Sequence, residues 1–249
     1  MAIRKRKTYR NEWKYLISPW EAELLQQRLE PYMQLDPNAE GGSYMIRSLY
    51  FDDYWDSAYN EKMMGVDERQ KWRIRIYNYS DDHIKLERKQ KRESYIWKES
   101  ANLTRNQVGK ILDGDYGFLL SDPQPLCREF YIDIMTKVLR PKVIVDYDRV
   151  PYVLNEGTVR ITFDYDVRAA YGSFDIFDDT LPTMNTMEAD KLVLEVKYTE
   201  FLPDLIKKLI PPDGQEFSAV SKYVLCYEKV LHLTDPLSGI TFTKENRRG

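Results

Sequence analysis

Apolar and polar residues alternate with a period of two over Tyr44 to Asp52, Lys71 to Tyr79, His83 to Lys91, Val143 to Arg149, Val159 to Asp166 and Leu192 to Tyr198, and each run predicts a strand. Helix signals lie between and beside these runs. Ser18 reads as an N-cap, with Pro19 in the first turn and Glu21 closing a capping box, and Leu24, Leu25 and Leu29 follow on one face. Thr104 with Gln107 opens a second helix that stops near Gly114. Pro125 begins a third, carrying Leu126, Phe130, Ile134 and Val138, and Pro203 a fourth that Pro211 and Pro212 terminate. The stretch from Phe174 to Asp190 reads as loop. Strands outnumber helices and do not alternate with them regularly, so the expected class is α+β with mainly antiparallel pairing. Closing such a sheet into a barrel removes its exposed edges. No repeat, low-complexity tract or long linker interrupts the chain, and residues 1–249 are expected to form a single domain.

The polar faces of these strands are unusual. In Trp72 to Tyr77 the pleat puts Arg73, Arg75 and Tyr77 on one side and Trp72, Ile74 and Ile76 on the other. Lys85, Glu87, Lys89 and Lys91 likewise oppose Ile84, Leu86 and Arg88. Arg160, Thr162 and Asp164 oppose Val159, Ile161 and Phe163, while Glu195 and Lys197 oppose Leu194, Val196 and Tyr198. A solvated face of an antiparallel sheet would show more Thr and Ser. Like charges on neighbouring positions repel unless a counter-anion joins them. With helices covering the apolar faces from outside, the charged stripes would line the barrel interior. Such an interior suits a linear polyanion: Arg binds phosphate oxygens bidentately, Lys adds compact charge, and carboxylates supply hard oxygens for Mg²⁺ or Mn²⁺.

Overall charge sharpens this picture. Lys and Arg number 37 against 40 Asp and Glu, a formal net charge of −3, so any polyanion site is local and a general nucleic-acid binder is not expected. No apolar run approaches the length of a membrane span and no signal-peptide core follows the basic start, which includes Arg4, Lys5, Arg6 and Lys7; a cytoplasmic protein is expected. Cys127 and Cys226 read as ordinary buried thiols, and Trp13, Trp55, Trp72 and Trp97 as packing residues rather than nucleobase platforms. The acidic pair Asp178 and Asp179 reads as part of a solvated loop. Neither a Walker-type phosphate loop nor a Gly-x-Gly-x-x-Gly motif is present. His83 and His232 are isolated, which disfavours a zinc site or a His-based triad. Catalysis by positioning and charge neutralisation remains, the mode of phosphoryl transfer.

An ordered set of short motifs then becomes informative: Glu12-Trp13-Lys14-Tyr15, Ser48-Leu49-Tyr50-Phe51-Asp52, Arg73-Ile74-Arg75, Glu87-Arg88-Lys89, Tyr147-Asp148-Arg149, Val159 to Asp164, Leu194-Glu195-Val196-Lys197 and Ser221-Lys222-Tyr223. In this order they resemble the vacuolar transporter chaperone (VTC) domain, within the CYTH or triphosphate tunnel metalloenzyme superfamily. The resemblance implies an eight-stranded antiparallel tunnel with helices outside. Lys14, Arg73, Arg75, Lys89, Arg149, Arg160 and Lys222 would bind triphosphate or polyphosphate, and Tyr147, Lys197, Ser221 and Lys85 would also line the substrate path. Glu195, with Glu12, would hold Mn²⁺ or Mg²⁺. The implied activity is transfer of the terminal phosphoryl group of ATP to a growing polyphosphate chain; a metal-dependent triphosphatase and a non-catalytic polyphosphate or nucleotide binder are the alternatives. The superfamily opens with Glu-x-Glu-x-Lys, whereas here Arg10 takes the first position, which weighs against the hydrolytic branch. Eukaryotic polymerases of this family carry a phosphate-sensing domain and membrane spans that this sequence lacks, so translocation of a product would require a membrane-protein partner.

Overall fold

The computed structural model describes residues 10–92, 95–199, 201–210 and 220–234. Its strands are β1 (Asn11–Ile17), β2 (Gln34–Leu35), β3 (Tyr44–Asp52), β4 (Arg69–Tyr77), β5 (Ser80–Arg92), β6 (Tyr95–Leu103), β7 (Arg140–Leu154), β8 (Val159–Ala170), β9 (Thr183–Asn185) and β10 (Leu192–Tyr198). The helices are α1 (Pro19–Leu29), α2 (Ser57–Met63), α3 (Arg105–Leu112), α4 (Phe118–Ser121), α5 (Pro125–Lys137), α6 (Asp204–Leu209) and α7 (Lys222–Thr234). Eight strands form one antiparallel path, β1-β10-β8-β7-β3-β4-β5-β6, with β2 and β9 added to β7 and β8. The sheet curls until its edge strands meet at a bridge between Arg10 and Ile96.

Local chemistry explains most boundaries. Ser18 and Glu21 make both halves of the expected capping box, as do Thr104 and Gln107. Ser18→Ala is expected to cost about 1 kcal/mol in urea denaturation, because the Glu21 amide loses its acceptor. The third predicted helix ends one residue earlier than its periodicity suggests: Val138 is the C-cap, in the left-handed region at φ 55°, and is 44% exposed. Pro203 caps α6, which ends at Leu209; Pro211 and Pro212 lie outside the described residues, as do Arg4 to Lys7. Within the stretch read as loop, β9 pairs with β8. Gly157, at φ +67°, closes the β7 to β8 turn under the Phe201 carbonyl, where a Cβ would lie 2.3 Å from that oxygen.

Two apolar layers cover the outside. Trp72, Ile74, Leu86 and Phe51 pack beneath α3, α4 and α5, with Phe130 edge-on to Phe51 at 5.2 Å. Ile161, Phe163, Leu194 and Val196 pack beneath α1 and α6. The seventh helix was not predicted. Its Tyr223, Val224, Cys226 and Tyr227 join Ile46, Tyr50, Val145, Tyr147 and Val193 in a third layer, so α7 lies on the concave face. Cys127 and Cys226 are buried free thiols. Trp72 is buried and Trp13 meets Tyr198 edge-on, but Trp55 is 75% exposed beside Tyr54. Trp55 therefore departs from the expected packing role: it sits in the turn before the short helix α2.

Candidate functional site

The strand pleat sends the predicted charged stripes inward, where they form two linked clusters. In the first, Arg73 and Arg75 are adjacent inward positions of β4. Arg73 Nε donates to Glu87 Oε2 at 2.7 Å and Nη1 to the Tyr50 hydroxyl at 2.9 Å, and Lys98 Nζ reaches Glu87 Oε1 at 2.7 Å. Arg75 has neutral partners only, donating to Ser48 Oγ at 3.1 Å and the Tyr147 hydroxyl at 3.0 Å. Burial alone would raise the Glu87 carboxyl, but Arg73, Arg75 and Lys98 hold it far below the usual range.

The second cluster is centred on Glu195. Its Oε1 faces Lys222 at 2.9 Å and Lys14 at 3.3 Å; its Oε2 faces Lys197 and, at 3.4 Å, Arg149. Arg149 and Lys222 also each reach Asp164 at 2.6 Å, while Lys14 continues to Glu12 at 3.2 Å and Lys89 pairs with Glu12 at 2.7 Å. Cations and carboxylates thus alternate from Lys89 through Glu12, Lys14, Glu195 and Lys222 to Asp164. Burial would raise Glu195, yet Lys197, Lys222, Lys14 and Arg149 keep it ionised and well below the ordinary carboxylate value. Burial lowers Lys197 to about 8 despite the pull of Glu195 and Glu12. Lys222 begins α7, so the helix's positive end lies beside this cluster.

Most of the predicted residues converge here: Glu12, Lys14, Lys89, Arg149, Glu195, Lys197 and Lys222 in one cluster, Arg73 and Arg75 in the other, and Tyr147 between them. The Tyr147 ring lies 4.8 Å from Lys222 Nζ and 5.2 Å from Arg149 Cζ. Ser221 accepts from Lys71 Nζ at 3.2 Å. Two predicted residues lie opposite cluster members in the sheet, Arg160 facing Lys197 and Lys85 facing Arg75, but make their side-chain contacts elsewhere. Arg160 pairs with Asp36 at 2.6 Å and donates to Tyr44, and Lys85 Nζ bonds Asn102 at 2.5 Å. Sequence reasoning assigned no role to Lys71, Glu87, Lys98, Asp164 or Tyr50. Lys71 shares the parity of Arg73 and Arg75, and that periodicity alone would have found it.

The donor set can be tested against a divalent cation. Among the described residues, no group of three or more His, Cys, Asp and Glu side chains is arranged to hold a metal. Glu12 and Glu195 are linked through Lys14, and the Thr162 hydroxyl, in register with Glu195 on the next strand, is buried without a hydrogen-bond partner among the described residues. Glu195 beside an unsatisfied hydroxyl, with Glu12 across Lys14, offers hard oxygens of the kind that a divalent cation such as Mg²⁺ takes before completing its shell with water and phosphate oxygens.

The architecture has counterparts of known structure. HpAC1 from Hippeastrum, named for adenylyl cyclase and described as having a dominant triphosphatase activity, superposes with a TM-score of 0.53 at 16% identity, over 89% of this chain and 96% of that one. A protein from Bacillus halodurans, named for adenylate cyclase, gives a TM-score of 0.49 at 12% identity, over 82% of this chain and 87% of that one. PH1819 from Pyrococcus horikoshii gives 0.45 at 13%, over 89% and 99%. At these identities the likeness to HpAC1 speaks for the fold. No curated protein sequence matches the chain. Residues 9–231 match the model of the VTC domain, which spans both charged clusters and every strand of the barrel, and the chain therefore belongs to the VTC domain family.

Proposed function

We propose that the protein is a polyphosphate polymerase, which moves the terminal phosphoryl group of a nucleoside triphosphate, ATP in the first instance, onto a growing polyphosphate chain inside the tunnel. The carrying observation is that cations outnumber carboxylates along the whole inner face, from Arg73 and Arg75 to Arg149 and Lys222. That excess suits a ligand with a charge on every repeating unit.

In this reading Arg75, bound to neutral hydroxyls alone, is free to turn its guanidinium to phosphate oxygens, and Arg73 is held on the same face by Glu87 and Tyr50. Lys14, Lys197 and Lys222 exchange part of their contact with Glu195 for the incoming phosphates, so binding needs little rearrangement. Arg149, fixed by Asp164, presents charge to the transferred group without moving, the preorganisation that stabilises a developing negative charge. Glu195 and Glu12 would hold the divalent ion, which supplies charge neutralisation on the bridging and transferred oxygens. The triphosphatase reading shares these residues and draws support from the fold shared with HpAC1. Against it stands Arg10, which forms the barrel-closing bridge at the position where the superfamily pattern places a carboxylate.

Binding tests the shared part of this reading. Arg75→Ala should weaken tripolyphosphate binding by about 2 kcal/mol, roughly thirtyfold in Kd by calorimetry, with little loss of stability because no carboxylate is left unpaired. Unchanged affinity would remove Arg75 from the phosphate path.

A further inference from the structure

The two ends of the tunnel are not alike. Where β3 begins and β4 ends, Arg160 is paired with a carboxylate, Asp36, and Lys85 donates to Asn102. Where β3 ends and β4 begins, a group of cations has no carboxylate partner among the described residues. Arg69 and Lys91 are register partners on β4 and β5, and Lys71 is the next inward position of β4. Lys62 lies in the last turn of α2, directly before this end of β4. Among the described residues none of these four has a carboxylate within ion-pair distance. Arg69 donates to the Val66 carbonyl, and Lys71 to Ser221 Oγ while lying 4.5 Å over the Tyr223 ring.

The charged neighbours of Lys62 and Lys71 are cations: members of this group, together with Lys14 and Lys89 of the Glu195 cluster. Burial, then Lys14, Lys62, Lys89 and Arg69, press the Lys71 ammonium well below its usual value. Burial, then Arg69, Lys14, Lys91 and Lys89, bring Lys62 to about 8. Opposing carboxylates are few and lie to one side: Glu61 and Asp67 face Arg69, and Glu68 is taken up by Arg92. Mutual repulsion among partly buried cations is costly in the free protein and is relieved by an anion that spans them. The tunnel already holds enough cations near Glu195 for a short phosphate chain, so a second group further along the same face serves phosphates that a triphosphate does not have.

We propose that Lys62, Arg69, Lys71 and Lys91 form a second anion subsite, which holds the units of a long polyphosphate beyond those bound at the Glu195 cluster and sets the end of the tunnel toward which the chain extends. The inference rests on the polyphosphate reading above. It is separable from it, because a short and a long chain test different residues. Binding of tripolyphosphate and of long-chain polyphosphate would be measured by calorimetry for the full chain and for the double variant Lys62→Ala with Lys91→Ala. The subsite requires that the variant lose about tenfold in affinity for the long chain while its affinity for tripolyphosphate stays within about twofold. Folding is checked in the same samples by urea denaturation, where removal of mutually repelling cations should not lower stability. Equal losses for both ligands, or no loss for either, would overturn the subsite while leaving the polyphosphate reading intact. Failure of the unmodified protein to bind either ligand would overturn that reading and the subsite with it.

Discussion

Replacing Glu195 with glutamine is expected to lower metal-dependent turnover by about 1,000-fold, the several kcal/mol that charge stabilisation by a bound cation supplies. The same change should destabilise the phosphate-free protein by about 3 kcal/mol, because Lys14, Lys197, Lys222 and Arg149 converge on this one buried carboxylate. Added tripolyphosphate should restore much of that stability, since it returns negative charge to the same four groups. The two readouts separate the roles of the residue. A variant that is destabilised yet turns over normally would show Glu195 to be a structural counter-charge only.

The second large effect lies on the outer face. Arg47 is fully buried and makes a two-pronged bond to Asp146, Nε to Oδ1 at 2.9 Å and Nη2 to Oδ2 at 2.7 Å, with Nη1 directed at the Asp178 carbonyl. Arg47→Met should cost about 4 kcal/mol, because Asp146 is left charged in an apolar layer and the segment around Asp178 loses its anchor. In a domain of this size that is roughly a 10 °C fall in Tm. Coupling Arg47→Met to Asp146→Leu should recover most of the loss in thermal unfolding, since no buried charge then remains. If the double variant is as unstable as the single, the contact with the Asp178 segment and not the stranded carboxylate dominates.

The inward stripes could be read from the sequence because a strand's period is two and the charges of Arg73, Arg75, Glu87, Lys89, Glu195 and Lys197 keep to one parity. Capping boxes at Ser18 and Thr104 were legible for a similar reason, as their partners lie three residues away. What failed was information carried by long-range contact. Nothing in Met45 to Leu49 announces that Arg47, on the parity of Leu49 and Phe51, is buried against a residue 99 positions distant. Strand β6 escaped because Glu99 interrupts its apolar face and Ile96 its polar one, leaving no clean alternation. Helix α7 escaped because its apolar residues meet the concave side of the barrel, and a stripe in sequence does not say which side of a sheet it will cover. Arg160 shares the parity of Asp164 and faces Lys197 across the ladder, yet its guanidinium pairs with Asp36 beyond β2, a contact that parity does not announce.

The most direct test of phosphoryl transfer onto a chain is to incubate the protein with γ-labelled ATP and Mn²⁺ or Mg²⁺, with and without a short polyphosphate primer, and to resolve the products by gel alongside released phosphate. A polymerase extends the primer into labelled chains that disappear with Glu195→Gln. Label recovered only as free phosphate, with the primer unextended, would contradict the polymerase and assign the tunnel to triphosphate hydrolysis.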